Sequence, residues 1–155
     1  MRLTGPVCYA GCKRIVAQTD NNRQEGDTMA WVVIIIVVAL VQYLAFGFMV
    51  GSARVRYGVP APAITGNEIF ERYFRVQQNT LEQLVAFLPG IWLFATYVNP
   101  AWAAILGAVF IIGRAVYAAG YIRDPKARGA GFGLTFLPTV IMLLGGLYGA
   151  VRTLL

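Results

Sequence analysis

The sequence predicts an all-α integral membrane protein, a four-helix bundle whose helices each cross the bilayer. Three observations carry this expectation. Charged residues make up only 13% of the 155-residue chain and apolar ones 58%, whereas a soluble domain has about 25% charged residues. Much of the surface must therefore face something other than water. The apolar residues gather into long runs instead of alternating with polar ones. The basic residues behind the net charge of +6 sit at the ends of those runs. There they serve to orient the chain in the membrane and to bind an anion near it, and nucleic acid is excluded as a partner.

Residues 1–28 differ from all that follows. They are polar, mixed in charge and without periodicity, as in QTDNNRQEGDT. No apolar h-region follows the first basic residue, so this is not a signal peptide. Met29 stands directly before the first apolar run. Two readings are open: an extension upstream of a true start at Met29, or a disordered tail. Either leaves residues 29–155 as the membrane domain. Cys8 and Cys12 lie in the polar stretch. A lone C-x₃-C without partner ligands is a weak zinc signal, and no metal is assigned. The chain has no His, which removes the commonest general base and metal ligand.

Residues 30–50 are uncharged, and Gln42 is their only strongly polar side chain. A helix of that length rises about 31 Å, close to the thickness of the hydrocarbon layer. Gly58, Pro60, Pro62 and Gly66 then mark a loop. Thr65 and Glu68 have capping-box spacing, so a second helix is expected to start near Asn67. Its first turns, EIFERYFRVQQNTLEQ, are polar; residues 84–98 are apolar, with Pro89 as a tolerated kink. Asn99-Pro100 makes a tight turn. The third span covers residues 101–122 and contains one charge, Arg114. RDPKAR forms a second basic connection. The fourth span covers residues 129–151, where Gly145, Gly146 and Gly149 let neighbouring helices approach.

Arg54, Arg56, Arg72 and Arg75 flank the first connection, and Arg123, Lys126 and Arg128 flank the second. In a four-span chain both connections lie on one side. The positive-inside rule places that side in the cytoplasm and both termini outside.

Charges at membrane depth are rare without a use. Arg75, Asn79 and Glu82 share one face of helix two, and Arg114, Tyr117 and Tyr121 share one face of helix three. Arg123, Lys126 and Arg128 form the third cluster. Blander readings exist for each: an interfacial polar face or an internal Arg75–Glu82 pair, an aromatic belt, and topology determination alone. Taken together the clusters describe a cationic pocket open to the cytoplasm. Arginines suit carboxylates, and Glu82 can receive an amino group, so a small zwitterion with more than one carboxylate is the expected ligand.

The stretch FERYFRVQQNTLEQ, residues 70–83, resembles the helix-two signature of the MAPEG family, membrane-associated proteins of eicosanoid and glutathione metabolism. The likeness continues over residues 113–121, where RAVYAAGY follows Gly113, and in SAR ending at Arg54, and covers residues 30–155. The resemblance implies a four-helix bundle that forms a homotrimer, with glutathione as co-substrate at the subunit interfaces near the cytoplasmic side. It maps glutathione contacts onto Arg75, Gln77, Asn79 and Glu82, onto Arg114, Tyr117 and Tyr121, and onto Arg54 reaching from a neighbouring subunit. By the same resemblance Arg128 is the arginine that activates the thiol. Two departures stand out. Gln83 replaces a tyrosine, and Asp124-Pro125 interrupts the helix that should carry Arg128.

The expected function is that of a glutathione transferase or peroxidase of a bacterial inner membrane, acting on a lipophilic electrophile or hydroperoxide dissolved in membrane lipid. A guanidinium beside the sulfur lowers the thiol pKa and stabilises the thiolate. No protein nucleophile is required. One alternative is a non-catalytic lipid-binding member of the family. The other is a small four-span transporter, which would need an acidic residue within the first span; residues 30–50 have none.

Overall fold

The structure is a computed structural model. It describes the backbone of residues 6–155, and side chains from residue 23 onward except residue 25. Four long helices follow one another: α1 Pro6–Tyr57, α2 Glu68–Tyr97, α3 Pro100–Arg123 and α4 Gly129–Arg152, with a 3₁₀ turn at Pro125–Arg128 between the last two. No strand is found among the described residues.

Helix α1 begins at Pro6 and runs without a break into the first span. No proline follows Pro6 before the end of the helix, so a helix nucleated by the span can propagate outward through polar residues. Arg23, Gln24, Gly26 and Asp27 are exposed there, and Met29 is among the first residues to touch the core. The side chains of Cys8 and Cys12 lie outside the described residues, and so does any test of their pairing with a metal.

Three helical stretches are long and apolar enough to cross a membrane: Gly26–Tyr57, Pro100–Arg123 and Pro125–Arg152. The fourth expected span, α2, does not qualify by composition, because the polar residues of its first half, through Gln77, Gln78, Asn79, Glu82 and Gln83, leave too short an apolar stretch. It nevertheless runs the length of α3. Arg72 near its start bonds the last carbonyls of α3, and at the other end only Val98 and Asn99 separate the two helices.

The helix boundaries follow from local chemistry. The Asn67 Oδ1 accepts from the Ile69 and Phe70 amides at the start of α2. Glu71 in turn accepts from the Gly66 amide. The Thr65–Glu68 capping box is therefore replaced by an Asn67 cap with Glu71 as the reciprocal partner. Asn99 caps α3 in the same way, with Pro100 in the first turn, where its missing N–H costs nothing. Pro89 sits inside α2, which continues through it.

The core lies in the apolar half of the bundle. Val32, Ala39, Leu84, Phe87, Ile91, Phe110 and Met142 are buried together, and the Phe87 and Phe110 rings stack at 3.8 Å. Gly145, Gly146 and Gly149 do what their small size suggests. A Cβ on Gly149 would stand 2.5 Å from the Tyr97 carbonyl, and one on Gly145 2.5 Å from the Phe94 ring. The close approach is between α2 and α4 of one chain. Outside, Trp31, Phe48, Trp102 and Leu147 are each more than half exposed. Such a surface needs lipid or another apolar face against it.

Candidate functional site

At the basic end of the bundle the second halves of α1 and α3 meet the first halves of α2 and α4. Arg114 is the centre of this region. It is fully buried, the largest such side chain among the described residues. Its Nη1 donates to Asn79 Oδ1 at 3.1 Å and its Nη2 to Thr80 Oγ1 at 2.7 Å. The guanidinium also lies over the Tyr117 ring, 4.3 Å from its centroid. A guanidinium taken out of water is costly unless its donors are met, and these contacts give both terminal nitrogens a hydrogen-bond partner and the cation an aromatic face. Arg114 Nε is buried with no hydrogen-bond partner.

The network extends outward from Arg114. Asn79 Nδ2 donates to Glu82 Oε2 at 3.1 Å. Because the Asn79 carbonyl is taken by Arg114, its amide nitrogen must face Glu82, which fixes the side chain's orientation. Tyr117 stacks on Tyr121 at 5.5 Å, so the two tyrosines form one aromatic wall, as the i, i+4 spacing allows. Both helix-two and helix-three clusters expected from the sequence are thus brought together. The internal Arg75–Glu82 pair is not formed. Among the described residues the one ion pair is Arg72–Glu68.

Arg75 is exposed and lines a cleft of about 290 Å³ with Thr65, Glu71, Arg72 and Tyr121. Arg128 is exposed at the start of α4, with no capping bond from its side chain. Arg75 shares that cleft with Tyr121, and Arg128 lies three residues before Gly131, where α4 packs against the Tyr117 backbone. Gln77 does not join them, since its amide lies against Gly47 of α1. Arg54 turns to its own loop: Nη1 donates to Ala63 O at 2.6 Å and Val59 O at 3.4 Å, and the guanidinium covers the Phe70 ring at 4.8 Å.

The backbone that carries Arg128 is held on both sides. Asp124 caps the 3₁₀ turn by accepting from the Lys126 amide. A Cβ on Gly120 would meet the Ala127 carbonyl at 3.1 Å, and one on Gly131 would meet the Tyr117 amide nitrogen at 2.3 Å. Small residues at these two positions let the corner lie flat on α3. The Asp124-Pro125 break therefore ends α3 while the chain folds back onto it, so that α4 starts against Tyr117.

Sequence reasoning missed Thr80. It is buried, its hydroxyl donates to Val76 O at 2.6 Å, and it accepts from Arg114. Its position, one residue from Asn79 and four from Val76, was the available signal. A threonine among the polar residues of QQNTLEQ reads as part of an exposed polar face until its arginine partner is seen.

Fold and site together define a class: a membrane-embedded four-helix bundle with a cation-rich polar site at one end. The chain belongs to the MAPEG family, whose model matches residues 30–148. An uncharacterised protein of Synechocystis sp. is 51% identical over 119 residues, 77% of this chain and 87% of that protein. Human microsomal glutathione S-transferase 2 is 37% identical over 119 residues, covering 77% of this chain and 81% of its own length. Bovine leukotriene C4 synthase is 30% identical over 102 residues, covering 66% and 68% respectively.

Proposed function

We propose that this protein is a glutathione-dependent membrane transferase, in which a thiolate stabilised by Arg128 attacks a lipophilic electrophile. The observation that carries the reading is the buried Arg114, which holds Asn79, Thr80 and Tyr117 in fixed positions at the end of the bundle that also carries the exposed Arg75 and Arg128. Family membership and the relatives named glutathione S-transferase and leukotriene C4 synthase support it.

The residues divide into two roles. Arg75 offers a guanidinium to a glutathione carboxylate, Glu82 accepts from its amino group, and the Tyr117–Tyr121 wall borders the peptide. Arg114 contacts glutathione through the groups it positions. Free glutathione is only a few per cent thiolate at neutral pH. Arg128 beside the sulfur raises that fraction, and the thiol proton leaves to solvent. The sulfur then forms a bond to the electrophilic carbon while the leaving group departs with its electron pair. With a hydroperoxide, the thiolate takes one oxygen and releases the alcohol. A second glutathione then yields the disulfide and water.

Arg75, Glu82 and Arg128 are exposed on a single chain, and an apolar groove of about 580 Å³ runs along Gly47, Phe48, Gly51 and Val55 of α1. A homotrimer would cover such surfaces and bring Gln77 and Arg54 of one subunit toward the site of the next. The basic end faces the cytoplasm of a bacterial inner membrane by the positive-inside rule.

The test is a titration of bound glutathione by its ultraviolet thiolate absorbance, together with turnover of a chloronitrobenzene. Arg128→Ala is expected to raise the thiol pKa toward its solution value, with turnover at neutral pH falling about tenfold per unit, less the gain from a more nucleophilic sulfur. An unmoved titration would remove Arg128 from this role. Glutathione binding without turnover would favour the non-catalytic lipid-binding alternative.

A further inference from the structure

Helix α3 ends in an unusual way, and its last carbonyls have a specific partner. Pro125 has no N–H to offer, and the Lys126 amide is taken by the Asp124 side chain. The Asp124 amide goes back to Gly120 O and the Ala127 amide to Asp124 O. The Ile122 and Arg123 carbonyls therefore receive nothing from the turn that follows them. Arg72 supplies both: its Nη1 donates to Ile122 O at 3.2 Å and Arg123 O at 3.0 Å. Its Nη2 pairs with Glu68 one turn earlier on α2. A cation at the negative end of a helix dipole is favourable in its own right.

This contact has a consequence at the site. The α3–α4 corner is held at Ala127 by Gly120 and at the start of α4 by Gly131. Arg72 fastens its remaining end, the point where α3 stops. Arg128 lies between these fastenings, and its own side chain makes no capping bond. We propose that Arg72 is a positioning residue: its clamp on the end of α3 fixes the corner that presents Arg128 to the glutathione sulfur. It acts through the corner and touches neither glutathione nor the electrophile. This rests on the transferase reading, and the experiment is chosen so that the two can fail separately.

The variants are Arg72→Met, Arg72→Lys and Glu68→Gln, purified in detergent as full chains. Lysine keeps the charge without the forked donors, and Glu68→Gln leaves Arg72 present without its ion pair. Two readouts are used. One is the thiolate absorbance of bound glutathione as a function of pH, with affinity measured alongside. The other is the mobility of a nitroxide attached at Lys126→Cys in a background with Cys8 and Cys12 replaced by serine. In Arg72→Met the thiolate fraction at neutral pH should fall at least threefold, on the order of half a pKa unit. It should recover at raised pH, while glutathione affinity changes less than threefold. The nitroxide should become more mobile. Arg72→Lys and Glu68→Gln should fall between wild type and Arg72→Met in both readouts. If Arg72→Met does not fold, the two milder variants decide. An unmoved thiolate titration and an unmoved nitroxide in folded variants would overturn the proposal. Equal losses of affinity and thiolate would also overturn it, since that marks Arg72 as a binding group. If wild type shows no thiolate signal, the transferase reading fails, and the nitroxide alone decides whether Arg72 holds the corner.

Discussion

A single guanidinium organises the polar end of this bundle. Arg114 is buried, and each group it touches is constrained by having to satisfy it. Thr80→Val keeps the volume but removes the acceptor for Nη2, leaving a charged donor unpaired in the interior. This should destabilise the protein by about 1–3 kcal/mol, read from thermal unfolding in detergent. Thr80→Ser, which keeps the hydroxyl, should recover most of that. Arg75 behaves differently because it is exposed. Arg75→Ala should leave unfolding almost unchanged and weaken glutathione binding by about 1.5–3 kcal/mol, the range for a hydrogen bond to a charged group, measured by calorimetry. Unchanged affinity would place Arg75 outside the site. The sequence made Arg114 conspicuous, since a lone charge within an apolar span has few structural explanations. It could not make Thr80 conspicuous, nor show that Arg54 spends its donors on the Val59 and Ala63 carbonyls, because loop geometry decides that and no local pattern encodes it.

The helices meet through contacts that leave no room for a side chain. On α4, Gly131 and Gly133 have the same residue type and opposite surroundings. A Cβ at Gly131 would overlap the Tyr117 backbone, while at Gly133 it would meet nothing within 4 Å. Gly131→Ala should therefore force α4 away from α3, at about 1–3 kcal/mol or more, as overpacking does. It should also shift the bound thiol's titration, because Arg128 moves with the helix. Gly133→Ala should be neutral or stabilising by up to about 1 kcal/mol, from helix propensity alone. Thermal unfolding of the two variants side by side tests this, and equal destabilisation would refute the packing argument. The spans of α1, α3 and α4 were legible because each is a long apolar run. Helix α2 was harder, since its polar half violates the hydropathy rule and is kept in the bundle by Arg114 and Arg72. Its cap was read near the right residue for the wrong reason: Asn67, not Thr65, accepts the first amides. Both residues suit a cap, and only backbone direction separates them.

At the scale of the whole molecule, the question is how the bundle sits in the membrane. The turn at Asn99 is uncharged, whereas Arg54, Arg56, Arg72, Arg75, Arg123, Lys126 and Arg128 gather at the opposite end. That they truly share an end follows from the Arg72 bonds to the last turn of α3, which tie the first basic region to the second. If α2 crosses with the other helices, the loop at 58–67 and the corner at 124–128 face one compartment and Asn99 the other. Single cysteines at Ala61, Ala127 and Val98, each exposed, report this when Cys8 and Cys12 are replaced by serine. Labelling of intact cells and of inverted vesicles with a membrane-impermeant maleimide should modify Ala61→Cys and Ala127→Cys only in the vesicles, and Val98→Cys only in the cells. Reversed accessibility of all three would keep the bundle and invert its orientation, putting the site outside. Different accessibility of Ala61→Cys and Ala127→Cys would mean that α2 and α3 do not both cross. That result would separate Arg75 from Arg128 by the width of the bilayer and leave no shared site for glutathione.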